Sequence, residues 1–298
     1  MACRTMPWFE CRDGIFEIDE FDCTEIFVVV GEEKALVIDT GTGIGDLKGL
    51  IEEKITKKPY IVAASHNHGD HIGGAGWFSP IYIHPADKNM AHSDAFPTLE
   101  FRKNYARIIT ERENKCYAYD PDRDIRPWPR TPEFIPMEDG HVFDLGGRRV
   151  TAYHCPGHTP GEMVFLDDKT RTLLCGDAFN CNWLLNRSIA STPKESTRIA
   201  LAAMERIASL GDRYDSVFNF HHDFRGFGQP LASDVIPNLI ACLRQLLAGQ
   251  ASFRQEADGL NPGKTKTVAY FGNVFISCMG QDIWEAFGPE EKTGEARP

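Results

Sequence analysis

A chain of 298 residues, 42% hydrophobic and 25% charged, is long enough for one large domain or two smaller ones and can bury a sizeable core. Its formal net charge of −11 argues against a nucleic-acid-binding surface, which needs clustered Lys and Arg to neutralise phosphate. No stretch approaches the ~18 consecutive apolar residues of a membrane-spanning helix, and nine cysteines, odd in number and without close-spaced pairs, join the lack of an apolar signal segment in pointing to reduced thiols in a cytoplasmic setting.

The first sixty residues read as strands followed by a helix. Residues 14–18 alternate apolar and polar side chains, and 25–30 and 34–38 flank Gly31-Glu32-Glu33 as a hairpin. Asp39-Thr40-Gly41 ends the second of these strands, and Asp39 is read as a turn- or cap-forming carboxylate rather than a site group. Leu47, Leu50, Ile51 and Ile55 recur at helical spacing, which predicts a helix over about 44–56. The apolar run 60–64 then reads as a buried strand that delivers Ser65-His66-Asn67-His68-Gly69-Asp70-His71 to a loop at its carboxyl end. In an extended segment side chains alternate, so His66 and His68 can point the same way and hold one cation. Asp70 and His71, beyond the turn that Gly69 permits, can reach a second cation.

Residues 81–84 form a further predicted strand. Residues 85–139 fit no alternation of strand and helix; they hold one predicted helix, 98–113, and a Pro-rich segment, 120–136. Such a length inside a compact domain is more often a lid or binding loop than a linker. Its aromatics Phe96, Phe101, Tyr105, Tyr117, Tyr119 and Trp128 either wall a pocket or pin the insertion onto the body. His84 and His92 are read as surface or structural residues.

From Gly140 the alternation resumes, with a hairpin of 142–145 and 149–153 about Gly146-Gly147. His154-Cys155-Pro156-Gly157-His158-Thr159-Pro160-Gly161 follows. Pro and Gly fix the backbone on both sides of His158, which makes it a ligand candidate; His154 is a weaker one and Cys155 a packing residue. A hairpin of 163–166 and 172–175 ends in Gly176-Asp177, and a carboxylate there, beside a cluster in need of anionic charge, is a candidate metal bridge. Phe179, Trp183, Leu184 and Leu185 either meet an apolar acyl chain or pack as core.

Thr192-Pro193-Lys194-Glu195 has the form of a capping box with Pro at the first helical position, so a helix to about Leu210 is expected. A strand over 214–220 delivers His221-His222-Asp223, and one of these two histidines is read as the last ligand. A helix over 233–248, strands over 267–271 and 274–277 and a frayed acidic tail from Glu290 complete the chain. The whole, 1–298, is read as one domain, with the insertion at about 85–139 and a carboxyl-terminal extension at about 225–298 shaping the pocket.

Taken in order, His66-Asn67-His68-Gly69-Asp70-His71, Pro156-Gly157-His158-Thr159-Pro160-Gly161, Cys175-Gly176-Asp177 and His221-His222-Asp223 resemble the metallo-β-lactamase superfamily in its binuclear hydrolase form. The resemblance spans about residues 14–224. It implies an α/β fold, an αββα sandwich of two mixed sheets with helices outside and the metals at one edge. It implies His66, His68 and His158 on a first metal, Asp70, His71 and His222 on a second, and Asp177 between them. His222 is preferred over His221 because the family's last ligand is commonly followed by an acidic residue, here Asp223, although the preceding Gly is replaced by His221.

Imidazole and carboxylate donors favour two Zn²⁺ ions, with Fe or Mn as alternatives. The implied activity is hydrolysis of a small ester, lactone or thioester by a metal-bridging hydroxide, with Asp70 as the catalytic proton carrier. Alternatives are β-lactam hydrolysis as a side activity, a mononuclear iron sulfur dioxygenase and a non-catalytic metal-bound protein. Arg225, Arg244 and Arg254 are too widely spaced to form a basic cluster for glutathione. The expected partner is a small-molecule substrate, with neither nucleic acid nor membrane; a homodimer is compatible with the sequence but not legible in it.

Overall fold

The computed structural model describes residues 5–91, 97–112, 118–186, 189–278 and 284–287. His92, Phe96, Tyr117 and the tail from Glu290 lie outside the described residues.

Trp8–Arg12 (β1), Ile15–Asp19 (β2), Glu25–Val30 (β3), Ala35–Ile38 (β4), Tyr60–Ala63 (β5), Ile81–Ile83 (β6) and Phe134–Pro136 (β7) pair in chain order as one seven-stranded sheet. Pairing is antiparallel from β1 to β4 and parallel from β4 to β7. A parallel neighbour requires a crossover, and the predicted helix supplies the one from β4 to β5. It begins later than its apolar spacing suggests, at Leu47, because Asp46 caps it by accepting a hydrogen bond from Gly49 N; past Leu50 it continues as a π-helical turn, Ile51–Ile55. β7 lies inside the insertion, which also holds helices Pro85–Ala91, Leu99–Arg112 and Pro121–Asp124.

Val142–Asp144 (β8), Arg149–His154 (β9), Met163–Asp167 (β10) and Thr172–Leu174 (β11) form an antiparallel meander. The chain then leaves through Asn182–Leu185 (β12) and returns as Ser216–Phe218 (β13), parallel to β11, which makes the second sheet mixed as well. A third sheet, absent from the sequence-based expectations, joins β12 to Ser252–Ala257 (β14), Thr265–Phe271 (β15) and Val274–Cys278 (β16) in the order β12-β16-β15-β14. β14 is its exposed edge and carries Arg254 and Glu256, so it has no buried face to betray it as a strand.

The two-residue period of the strands sorts side chains into three layers. In β3 and β4, Phe27, Val29, Leu36 and Ile38 face the second sheet and meet Met163, Phe165 and Leu174 there. Their neighbours Ile26, Val28 and Val37 face outward, onto Leu47 and Ile51 and onto Ala106 and Ile109 of the Leu99–Arg112 helix. On the far side Val164, Leu166 and Leu173 pack under Met204 and Ile207 of the Pro193–Ala208 helix and Leu239 and Leu243 of the Val235–Leu247 helix. This is an αββα sandwich. The predicted capping box is present, with Thr192 accepting from Glu195 N. The carboxyl ends of β4, β5, β9, β11 and β13 all emerge along one edge of the sandwich, and the candidate donors lie on the segments that follow them. Among the described residues no helix is long and apolar enough to cross a membrane.

Candidate metal centre

After β5 the backbone stays extended through His68, then enters a short helix, Gly69–Ile72. Asp70 and His71 are therefore delivered by a helical turn rather than by an extended run. Asp39, left-handed at φ 68° and fully buried, holds this segment in place. It accepts from Ser65 N at 2.6 Å and Ser65 Oγ at 2.7 Å, and from His71 Nδ1 at 2.7 Å. Asp39 thus supports the site directly instead of closing a local turn. His66 Nδ1 lies 3.0 Å from Ser65 Oγ, whose own proton goes to Asp39, and 3.4 Å from Glu162 Oε2.

A second buried carboxylate ties two donor loops together. Asp87 accepts from Asn67 N, between His66 and His68, and from Thr159 Oγ1 and Gly161 N, beyond His158. His158 in turn donates its Nδ1 proton to Leu184 O at 3.2 Å. Trp183 packs beneath that loop, against Gly157, and Phe179, Trp183 and Leu185 are all buried in the outer core. Core packing, not acyl contact, is their role. Gly176 is left-handed at φ 52°, and a Cβ there would sit 2.4 Å from Glu162 Oε1, the oxygen that accepts from Asp177 N. Only glycine fits between that carboxylate and the turn that aims Asp177.

The structure differs from the sequence reading on the last histidine. His221 is still extended, at φ −137°, when the short helical turn starts at His222, so the two side chains point apart. His221 Nε2 lies 3.3 Å from Asp177 Oδ2 and 3.5 Å from Asp70 Oδ2. His222 turns away from the cluster. Its Nε2 is 3.0 Å from Asp22 Oδ1 and its Nδ1 bonds Glu25 Oε1. Burial opposes its charge, yet Asp22 and Glu25 push its imidazole up to about 11. Resemblance favoured the histidine before the acid; the phase of the strand exit selects the other.

The remaining candidates converge. His68 Nδ1 and His158 Nε2 are 2.9 Å apart, and His66, His68 and His158 place one nitrogen each within 4.8 Å of one another. The same spacing holds for Asp70, His71 and His221, and for His66, His71 and Asp177. Asp177 Oδ2 sits between the two groups, 3.4 Å from His158 Nε2 and 3.8 Å from His71 Nε2. Donors around one tetrahedral cation with bonds of ~2.0–2.1 Å are separated by roughly 3.3 Å, close to the 2.9 Å and 3.4 Å gaps of His158 to His68 and to Asp177.

Two features show that divalent cations fit. His66 Nε2, His71 Nε2 and Asp177 Oδ1 are buried without a hydrogen-bond partner, and an orphaned buried donor or acceptor costs about 1–3 kcal/mol. Each orphaned imidazole is also held through its other nitrogen, which is the arrangement that fixes the tautomer of a metal-binding histidine. The electrostatics agree. Burial alone would raise Asp177, but His221 and His71 hold it well below the usual carboxylate range. Burial alone would lower His71 and His221, but Asp70 and Asp177 push them up to about 9 and about 10, so positive charge is favoured among these carboxylates. His68, beside other histidines, is driven by burial down to about 3 and offers a lone pair.

A family model described as the metallo-β-lactamase superfamily matches residues 24–213. A human protein named acyl-coenzyme A thioesterase MBLAC2 is 31% identical over 192 residues, which are 58% of this chain and 67% of that protein. The lactamase-like protein ptaB of Pestalotiopsis fici is 26% identical over 230 residues, and the match spans 76% of this chain and 56% of ptaB. Among solved structures, a metallo-β-lactamase from Pontibacter korlensis superposes with a TM-score of 0.54 at 16% identity, covering 80% of this chain and 99% of that one, a likeness of fold alone.

Proposed function

Because the chain belongs to the metallo-β-lactamase superfamily, we propose that it is a metal-dependent hydrolase of acyl thioesters. His66, His68 and His158 would hold one divalent cation, Asp70, His71 and His221 a second, with Asp177 shared. The observation that carries this reading is the pair of buried, partnerless nitrogens, His66 Nε2 and His71 Nε2, aimed into one group of imidazoles and carboxylates. A structural zinc site closes with four ligands; seven donors, one of them a shared carboxylate, exceed that need. The donors suit Zn²⁺, with Fe or Mn as alternatives since no thiolate is among them.

Bound there, divalent cations supply Lewis acidity and lower the pKa of water from ~15.7 toward ~7. The chain's own groups do the rest. His71 is kept in one tautomer by Asp39, and His158 by Leu184 O, so their other nitrogens cannot wander. Water adds to the thioester carbonyl carbon, the carbon–sulfur bond breaks, and the products are a carboxylic acid and a thiol. Asp70, whose Oδ2 faces His71 and His221, takes the proton of the attacking water on its other oxygen, Oδ1, and returns it to the departing sulfur. A thioester is preferred to an ester or lactone because the human and bovine relatives, at 31% and 30% identity, bear a thioesterase name. The test is turnover of acyl thioesters by protein of measured metal content, before and after chelation.

A further inference from the structure

We propose that the Leu99–Arg112 helix carries an acyl-binding ledge, Phe101 and Tyr105, that selects thioesters with an extended apolar acyl group over acetyl-sized ones; this rests on the thioesterase reading above. The helix turns Arg102, Ala106 and Ile109 into the body, all buried at the four- and three-residue spacing of one face. Arg102 locks it there, donating to Thr42 O and Arg126 O with its guanidinium near the rings of Trp77 and Trp128. Phe101 and Tyr105 lie one residue before Arg102 and Ala106, so they occupy the flank that faces the donor loop.

There the two rings stack, with centroids 6.3 Å apart and planes at 14°. The Phe101 ring lies directly on Gly69, where a Cβ would be 2.3 Å from Phe101 Cε1, and the next residue is Asp70. Phe101 is nevertheless 39% exposed. Elsewhere in the insertion Trp128 donates to Gly73 O at 2.7 Å, and Tyr119 packs against Phe21 with centroids 5.1 Å apart. Tyr105 donates its hydroxyl to Cys23 O at 3.1 Å and also bears on Asp70, so its ring is pinned beside the donor loop.

A thioester whose carbonyl reaches Asp70 lies beside this exposed aromatic surface, and its acyl carbons have apolar contact to gain there. Alkyl groups gain most from such a surface because no side chain has to be ordered to receive them. The occupant is the substrate's own acyl chain, and the ledge is continuous with the donor cluster through Gly69.

The experiment compares kcat/KM for acetyl, butanoyl, hexanoyl and octanoyl thioesters of one thiol in wild type, Phe101→Ala and Phe101→Leu. In wild type kcat/KM rises by up to about fourfold per methylene until the ledge is filled. In Phe101→Ala the octanoyl-to-acetyl ratio falls by roughly tenfold or more, chiefly through KM, and Phe101→Leu recovers part of it. Calorimetric binding of octanoate against acetate supplies a readout free of turnover. An unchanged ratio and unchanged octanoate binding in Phe101→Ala overturn the ledge. If wild type hydrolyses no thioester yet binds octanoate in a Phe101-dependent way, the ledge stands and the thioesterase reading falls.

Discussion

His71 donates Nδ1–H to Asp39 Oδ2 across 2.7 Å with both side chains fully buried, so a residue at the end of β4 sets the tautomer and aim of a donor 32 positions later. Asp39→Asn keeps the size of the side chain but removes the charge that favours this arrangement. Replacing such a partner typically weakens metal binding by about 10- to 100-fold, and that is the change expected in competition titrations against a chromogenic chelator. Affinity equal to wild type would separate Asp39 from the site.

The two adjacent histidines give opposite expectations. His221→Ala removes a nitrogen 3.3 Å from Asp177 Oδ2 and should lower the bound metal per chain together with hydrolysis. His222→Ala should keep the metal content, because its partners are Asp22 and Glu25. It should instead lose about 1–3 kcal/mol of stability, since the buried Glu25 carboxylate is stripped of its donor. Elemental analysis beside denaturant unfolding of both variants decides between these roles, and a reversed pattern would reinstate His222 as the donor.

How much of this was legible in the sequence depends on how far each signal reaches. The layers were legible because β3, β4 and β10 are nearly unbroken apolar runs bounded by turn residues, and His158 and Asp177 because glycine and proline isolate them in turns. Asp39 was not: a carboxylate after a strand looks the same whether it caps a local turn or supports a histidine brought beside it by the parallel β4–β5 pairing. Asp87 and Glu162 carried no local mark either; the adjacency of Glu162 to Gly161 was its one available hint. The choice between His221 and His222 turned on a single residue of strand phase, which the length of β13 decides and the predicted strand 214–220 overestimates. The third sheet stayed hidden because β14 buries almost nothing.

Glu20 gives a pH-dependent prediction away from the donors. Its fully buried carboxylate accepts from Thr42 N, Gly43 N and Ile44 N, the loop to which Arg102 is also bonded. Burial raises it from 4.5 to about 7 despite these donors. The folded state therefore holds this proton longer than the unfolded chain does, and the stability it contributes is full below pH 4.5 and lost as pH rises through 7. The size of that loss is roughly 3 kcal/mol. Glu20→Gln cannot ionise but faces the amide donors with an NH₂, so it should be less stable than wild type by about 1–3 kcal/mol at pH 5, with the gap narrowing toward pH 8. Urea unfolding across that range reads the gap; one that widens with pH contradicts this assignment.

The most direct measurement is metal content and thioester turnover on one preparation: protein dialysed against chelator, assayed for metal, then titrated with Zn²⁺, Fe²⁺ or Mn²⁺ while hydrolysis of an acyl-coenzyme A is followed. Two ions per chain are expected at saturation, with turnover absent from the stripped protein and restored as the sites fill. Undiminished hydrolysis by metal-free protein, or an inability to take up two ions with any of the three metals, would contradict a shared centre built on His66, His68, His158, Asp70, His71, His221 and Asp177.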